Sequence, residues 1–212
     1  MSRVRSARRK YYDVFSHFYD AFVRLHARRD GADTRDFLVQ MSSTHDVSHP
    51  SILDVCCGTG AVVSGFANHY AESLTVGCDF SHGMLRKARA KRDAQKALFV
   101  EGHAALLPFV DESFDVITCS HALYELKGQD RQAALREMKR VVKPTGIVLL
   151  MEHEVPQNLF LKLLFDLRMM TMGAADAREF VRGGLAPFSG VFPHVSLAHS
   201  PSGKSKLIIC QK

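Results

Sequence analysis

The sequence predicts an open α/β fold in one domain, with helices packed on both faces of a mostly parallel sheet. Three observations carry that expectation. Short apolar runs alternate with helix-period stretches through the middle of the chain. The run ending in Leu53-Asp54-Val55 passes into a turn holding Gly58 and Gly60, after which Ala61-Val62-Val63 opens a helical pattern. The 212 residues, 46% hydrophobic, suffice for one well-buried domain, and no shift in composition suggests two.

From Lys10 to about His45 the pattern is helical. Tyr11, Phe15, Phe18, Tyr19, Phe22, Val23 and Leu25 recur there at three- and four-residue steps. Residues 43–50 are a polar turn region. Strands are expected at 51–56, 74–79, 97–101, 114–120 and 146–152, with helices near 60–71, 82–94 and 129–142 between them. Such alternation gives parallel strands joined by right-handed crossovers. Beyond the fifth strand come an apolar helix from Asn158 to Met172, a further helix near 174–183, and strand candidates at Val195–His199 and Ser205–Gln211. Pro201-Ser202-Gly203 between those last two is a hairpin signal.

Composition excludes several classes. The net charge of +6 invites a nucleic-acid reading, but the basic residues are dispersed, and Arg86 to Arg92 read as a solvated helix face. Nucleic acid is therefore not an expected partner. The cluster Arg3, Arg5, Arg8, Arg9 and Lys10 is followed by no apolar stretch of the signal-peptide kind, and no run approaches the ~18 apolar residues of a membrane span. Cys56, Cys57, Cys78, Cys119 and Cys210 lie in or beside apolar strands with no C-x-x-C spacing. They read as buried reduced thiols in a cytoplasmic protein, with no metal site expected.

The loop after the first strand is the feature richest in chemistry. Glycines in a strand-to-helix turn let a ligand approach the backbone closely, and Asp79, at the end of the second apolar run, can grip a ribose diol. Two strand ends thus frame one nucleoside. A plain turn would show the same two glycines. Cys56-x-Gly58-x-x-Ala61 also matches a degraded dinucleotide fingerprint, so an NAD-dependent oxidoreductase stays open at this point.

Asp54, Cys56, Gly58 and Gly60, together with Asp79 and the segments Gly102-His103-Ala104-Ala105-Leu106-Leu107-Pro108-Phe109 and Phe114-Asp115-Val116-Ile117, resemble the ordered motifs of class I S-adenosylmethionine (SAM)-dependent methyltransferases, of the ubiquinone/menaquinone-biosynthesis type. The stretch from Arg136 to Leu150 resembles that family's helix, turn and fifth strand. The resemblance covers most of residues 11–212. Cys56 stands where the family has its first glycine, and His103 where it has an Asp that accepts from the adenine amino group. The resemblance implies a Rossmann-like seven-stranded, mostly parallel sheet with helices on both faces and a C-terminal antiparallel hairpin. It implies a single methyltransferase domain over 1–212, with a helical lid at 1–45, a SAM-binding core at 50–155, and acceptor-side helices and the hairpin at 156–212.

The cofactor implied is SAM, leaving as S-adenosylhomocysteine, held by Asp54, Cys56, Gly58, Thr59, Gly60, Asp79, Phe80, Met84, Gly102, His103, Ala104 and Ser120. Ligands of open parallel sheets collect beyond the carboxyl ends of the strands. His121 is accordingly the first candidate for a general base, with Glu152 and His153 as further catalytic candidates, although a histidine there can equally be a structural cap. Tyr11, Tyr12, Phe15 and Tyr19 suit a lid, and Tyr11, Tyr19 and Tyr124 are the candidate substrate contacts. The segment Leu159–Met170, with three charged residues in twelve, suits core packing, the wall of an apolar pocket, a peripheral membrane contact or a second copy of the chain. The expected reaction is methyl transfer to a small or lipid-like acceptor, a quinone-type ring or an amine head group. The alternative is a SAM- or nucleoside-binding regulatory protein without catalysis.

Overall fold

The computed structural model describes residues 11–13, 31–43, 47–91, 96–172, 176–203 and 205–212. Seven strands form one sheet in the order β3-β2-β1-β4-β5-β7-β6. They are β1 (Ile52–Val55), β2 (Thr75–Asp79), β3 (Leu98–Glu101), β4 (Phe114–Ser120), β5 (Val142–His153), β6 (His194–His199) and β7 (Ser205–Gln211). β1 to β5 pair in parallel, and β7 then runs antiparallel to both β5 and β6. The strand order reverses between β1 and β4, where a doubly wound sheet opens a crevice at its carboxyl edge.

The helices are α1 (Gly31–Ser42), α2 (Ala61–His69), α3 (His82–Arg89), α4 (Gly128–Val141), α5 (Leu159–Met172), α6 (Ala177–Arg182) and α7 (Ala186–Ser189). Residues 11–13 are also helical. Much of the expected N-terminal helix, including Phe15, Phe18, Tyr19, Phe22, Val23 and Leu25, lies outside the described residues. Two expectations shift. β5 begins at Val142 rather than 146, and the single helix expected near 174–183 is α6 followed by the separate turn α7, with Gly183 and Gly184 between them.

Strand alternation divides the interior into two layers. Ile52, Val116, Leu149 and Met151 face Leu38 of α1 and Phe66 of α2. Leu53, Ile117, Val148 and Leu150 face Leu135 and Met138 of α4 and Phe180 of α6. Both faces of the central strands are covered, which is why these strands read as continuous apolar runs. Where β2 meets β3 and the loop after β1 there is room only for glycine. A Cβ on Gly77 would stand 2.8 Å from the Cys57 sulfur and 2.9 Å from the Phe99 ring.

One buried cation organises the loop that follows β4. Arg131 of α4 donates to the Leu123 and Leu126 carbonyls at 2.9 and 2.8 Å, and pairs with Asp176 at 2.8 Å. Its guanidinium carbon lies 4.1 Å from the centroid of the Phe180 ring. A planar fork of donors can hold two carbonyls and a carboxylate at once, which lysine cannot. Replacing Arg131 with Met is expected to cost about 3 kcal/mol, because buried carbonyls lose their donors. Urea unfolding of the variant beside wild type checks this, and a loss below about 1 kcal/mol would show that the loop stands without it.

Candidate functional site

At the carboxyl edge of the sheet, beside the switch between β1 and β4, lies a cleft of about 1080 Å³ including its open mouth. The loop after β1 supplies Cys56 and Gly58 to its wall, and the ends of β2 and β3 supply Asp79, Phe80, Met84, Gly102, His103 and Ala104. The loop after β4 adds Ser120, His121, Ala122, Glu125, Leu126, Lys127 and Asp130, and Tyr12 reaches in from the N-terminal segment.

The loop after β1 is a run of left-handed residues, Cys56 at φ 59°, Gly58 at 53° and Gly60 at 74°. A Cβ on Gly60 would meet Phe99 at 3.0 Å and Ala88 at 3.1 Å, so that glycine is required by close packing as well as by φ. A Cβ on Gly58 would meet nothing within 4 Å, which leaves its backbone bare toward the cleft. Asp79 ties this loop to the next. One carboxylate oxygen accepts the Gly58 N–H at 2.9 Å and the other accepts the Ser81 N–H at 2.8 Å. Burial pushes its carboxyl up to about 6, against the pull of those amides, and nearby Asp13 adds to the rise.

Several expected cofactor residues support the loop without lining the cleft. Asp54 is buried under it and accepts a hydrogen bond from the Thr118 hydroxyl at 2.7 Å. Burial pushes its carboxyl up to about 7. Thr59 turns away, and its hydroxyl and carbonyl oxygens accept from the Lys91 ammonium at 3.0 and 2.8 Å. Gly60 begins α2.

His103 lines the cleft in the place where the resemblance implies an adenine-amino acceptor. Its Nδ1 accepts the Ala105 N–H at 3.2 Å. In the neutral ring that puts the proton on Nε2, so toward a ligand His103 offers a donor instead of the acceptor expected there. The ring stands edge-on to Phe80, centroids 6.3 Å apart.

The catalytic candidates separate. His121 lines the cleft in a left-handed conformation, φ 51°, fixed by donation of its amide N–H to the Met151 carbonyl at 2.8 Å. His153 stacks against the His121 ring at 4.3 Å and also touches Tyr124 and Phe165. Glu152 is only 1% exposed and does not line the cleft, and neither of its oxygens has a hydrogen-bond partner among the described residues. Burial pushes its carboxyl up to about 8, although the Lys206 and Arg131 charges oppose the rise. Sealed in the interior and away from the cleft lining, its carboxyl does not reach an acceptor bound there, so Glu152 is an interior group rather than a base facing the cleft.

Among the substrate candidates, Tyr124 is 2% exposed and packs in the core rather than in the cleft. Tyr11 packs edge-on against Tyr12 at 5.3 Å, and Tyr19 lies outside the described residues. Glu125, Leu126, Lys127 and Asp130 were not among the expected site residues, and Tyr12 was expected only as part of the lid. The signal for the first four was position alone, beyond the carboxyl end of β4, because the short turn Leu123–Glu125 buries Leu123 and Tyr124 and turns Glu125 outward. No group of three or more His, Cys, Asp or Glu suited to a metal ion occurs among the described residues.

The residues present fit SAM: a bare glycine backbone, a carboxylate at the end of β2, and aromatic and apolar side chains after β2 and β3. A methyltransferase-domain family pattern matches residues 52–146. The chain is 37% identical over 131 residues to a demethylmenaquinone methyltransferase of Lactococcus lactis, covering 60% of this chain and 51% of that protein. It is 31% identical over 169 residues to the demethylmenaquinone methyltransferase of Bacillus licheniformis, covering 77% of this chain and 71% of that protein. The chain spans about half the length of most curated relatives it matches. A solved TehB-like SAM-dependent methyltransferase from Corynebacterium glutamicum has the same fold, with a TM-score of 0.62 at 15% identity over 94% of this chain and 98% of that one.

Two outcomes follow from this geometry. Protonating Asp79 removes the charged acceptor for ribose hydroxyls, so affinity for S-adenosylhomocysteine is expected to fall about tenfold as pH drops from 7.5 to 5, through the raised value near 6. Calorimetric titration across that range checks it; a flat profile would take Asp79 out of ligand contact. Cys56→Gly should be more stable than Cys56→Ala by about 1 kcal/mol, since both lose the thiol and only alanine keeps the left-handed strain. Equal melting curves would show that φ at this position costs nothing.

Proposed function

The chain belongs to the SAM-dependent methyltransferases, and from that membership we propose that it transfers the methyl group of SAM to a carbon of a quinone-type aromatic ring. The observation that carries the proposal is the cleft itself. The glycine loop, Asp79 and the residues after β2 and β3 form one wall, and His121 and the loop after β4 form the other. The names of the most similar relatives support a quinone-type acceptor.

When bound, SAM supplies an activated methyl group on a sulfonium, so the protein's share is alignment, desolvation and proton handling. In this reading Asp79 holds the ribose hydroxyls, Gly58 gives close backbone approach, and Phe80, Met84, His103 and Ala104 enclose the base. His121 receives the proton that the acceptor gives up. His153 stacks on that ring, and the Ser205 hydroxyl lies 3.4 Å from the His121 Nε2.

A hydrophobic acceptor has a second support. The outer side of α5 exposes Leu159, Phe160, Leu163, Leu164, Leu167 and Met170, while Phe165 on its inner side touches His153. The helix that contacts His153 thus carries an apolar outer surface. No helix among the described residues is long and apolar enough to cross a membrane. Five free cysteines, four of them buried, suit a reducing compartment and support a cytoplasmic location.

The deciding experiment supplies labelled SAM with a panel containing naphthohydroquinones, phenols and amines. Label is expected in the naphthohydroquinone product, with His121→Ala slowed about a hundredfold at unchanged affinity for S-adenosylhomocysteine. Label appearing only in an amine, or full turnover by His121→Ala, would overturn the acceptor or the base assignment respectively.

A further inference from the structure

Tyr12 crosses the cleft. Its hydroxyl donates to a carboxylate oxygen of Glu125, and its ring lies edge-on to Phe80 with centroids 5.7 Å apart. The adjoining Asp13 anchors this segment on the other side, accepting from the Ser81 hydroxyl at 2.7 Å and the Gly83 N–H at 2.8 Å. Glu125 sits in a turn braced from within. Its own amide donates to the Ala122 carbonyl, and Arg131 holds the carbonyls of Leu123 and Leu126 on either side.

The cleft therefore already binds a hydroxylated aromatic ring, and that ring belongs to the protein. Resting on the methyltransferase reading above, we infer that the Glu125 carboxylate is the subsite for a phenolic hydroxyl of the acceptor, and that the Tyr12 phenol fills it until the acceptor arrives. Three points support the exchange. An ionised carboxylate accepts hydrogen bonds and donates none, so its ligand must bring a donor; among quinone-type rings a quinone carbonyl has no proton to give, whereas a phenol or hydroquinone has. Exchanging one phenol for another leaves the number of hydrogen bonds unchanged, so displacement leaves no buried acceptor orphaned. Tyr12 and Glu125 are 113 residues apart in sequence, so the contact is made by the fold and can open without unwinding a helix that holds both.

The subsite also explains why His121 and Glu125 share one wall. Both line the cleft within the same loop, so a ring whose hydroxyl lies on Glu125 remains beside the candidate base. Glu125 is then an acceptor-binding residue, and Tyr12 sets how easily the acceptor enters.

The test titrates 1-naphthol into full-length wild type, Tyr12→Phe, Glu125→Gln and Glu125→Ala, each saturated with S-adenosylhomocysteine, and repeats the series with 1-methoxynaphthalene, which has no proton to donate. Tyr12→Phe removes the competing hydroxyl and keeps the ring, so 1-naphthol is expected to bind several-fold tighter than to wild type. Glu125→Gln should weaken it about tenfold, and Glu125→Ala at least as much. The methoxy compound should bind all four proteins alike. The inference is overturned if Tyr12→Phe weakens 1-naphthol as Glu125→Gln does, if both Glu125 variants bind it like wild type, or if wild type does not bind it. Affinity for S-adenosylhomocysteine, measured in the same samples, separates the two readings: its absence in wild type would sink the methyltransferase assignment, whereas normal cofactor affinity with failed naphthol discrimination removes only the Glu125 subsite.

Discussion

One carboxylate holds the cofactor end of this protein together. Asp79, at the last position of β2, accepts the Gly58 N–H from the loop after β1 and the Ser81 N–H at the start of α3. Two pieces of backbone that share no helix or strand are thereby fixed to one side chain. The loop needs such a tie because its left-handed residues cannot settle into regular hydrogen bonding of their own. Asp13 repeats the device one turn further on, so the N-terminal segment and the cofactor loop are both referenced to Ser81 and the first turn of α3.

Burying carboxylates has a cost that rises with pH. Asp79, Asp54 and Glu152 are all pushed upward, mainly by burial, to about 6, 7 and 8. Each stabilises the fold fully only below its unfolded value and loses that contribution as pH climbs through the folded one. Groups at the periphery pull the other way. Asp115, Glu137 and Asp176 are held below the usual carboxylate range by Lys143, Arg140 and Arg131, and favour the fold until the medium turns acidic. Asp79 lines the cleft and Asp54 lies beneath its glycine loop, whereas Glu152 is enclosed in the interior.

Arginines shape a loop behind each wall. Arg131 holds the loop after β4 against α4 and α6. Arg140 donates to the Leu107 and Phe109 carbonyls at 3.1 and 2.8 Å and pairs with Glu137, which itself accepts the Leu107 N–H at 2.7 Å. Both loops are irregular, and both present side chains to a ligand. Forked cations that satisfy several carbonyls together give such loops a defined shape.

The alternation of apolar runs was enough to place all seven strands and the hairpin, because the central runs are buried on both faces while the edge strands β3 and β6 are only half-covered; Ile52 and Leu53 point to opposite layers as strand geometry requires. The glycine loop and Asp79 were legible because a left-handed turn and a strand-end acid each demand particular residue types. What the sequence by itself could not determine is which polar residues around those ends meet. Glu152 and His153 are neighbours in sequence, yet one is sealed in the interior and the other stacks on His121. Cys56 takes a conformation that its side chain disfavours, and the resemblance left open how the turn accommodates it. Tyr12 and Glu125 come from opposite ends of the cofactor core. Their meeting is a distance in space that no local periodicity encodes.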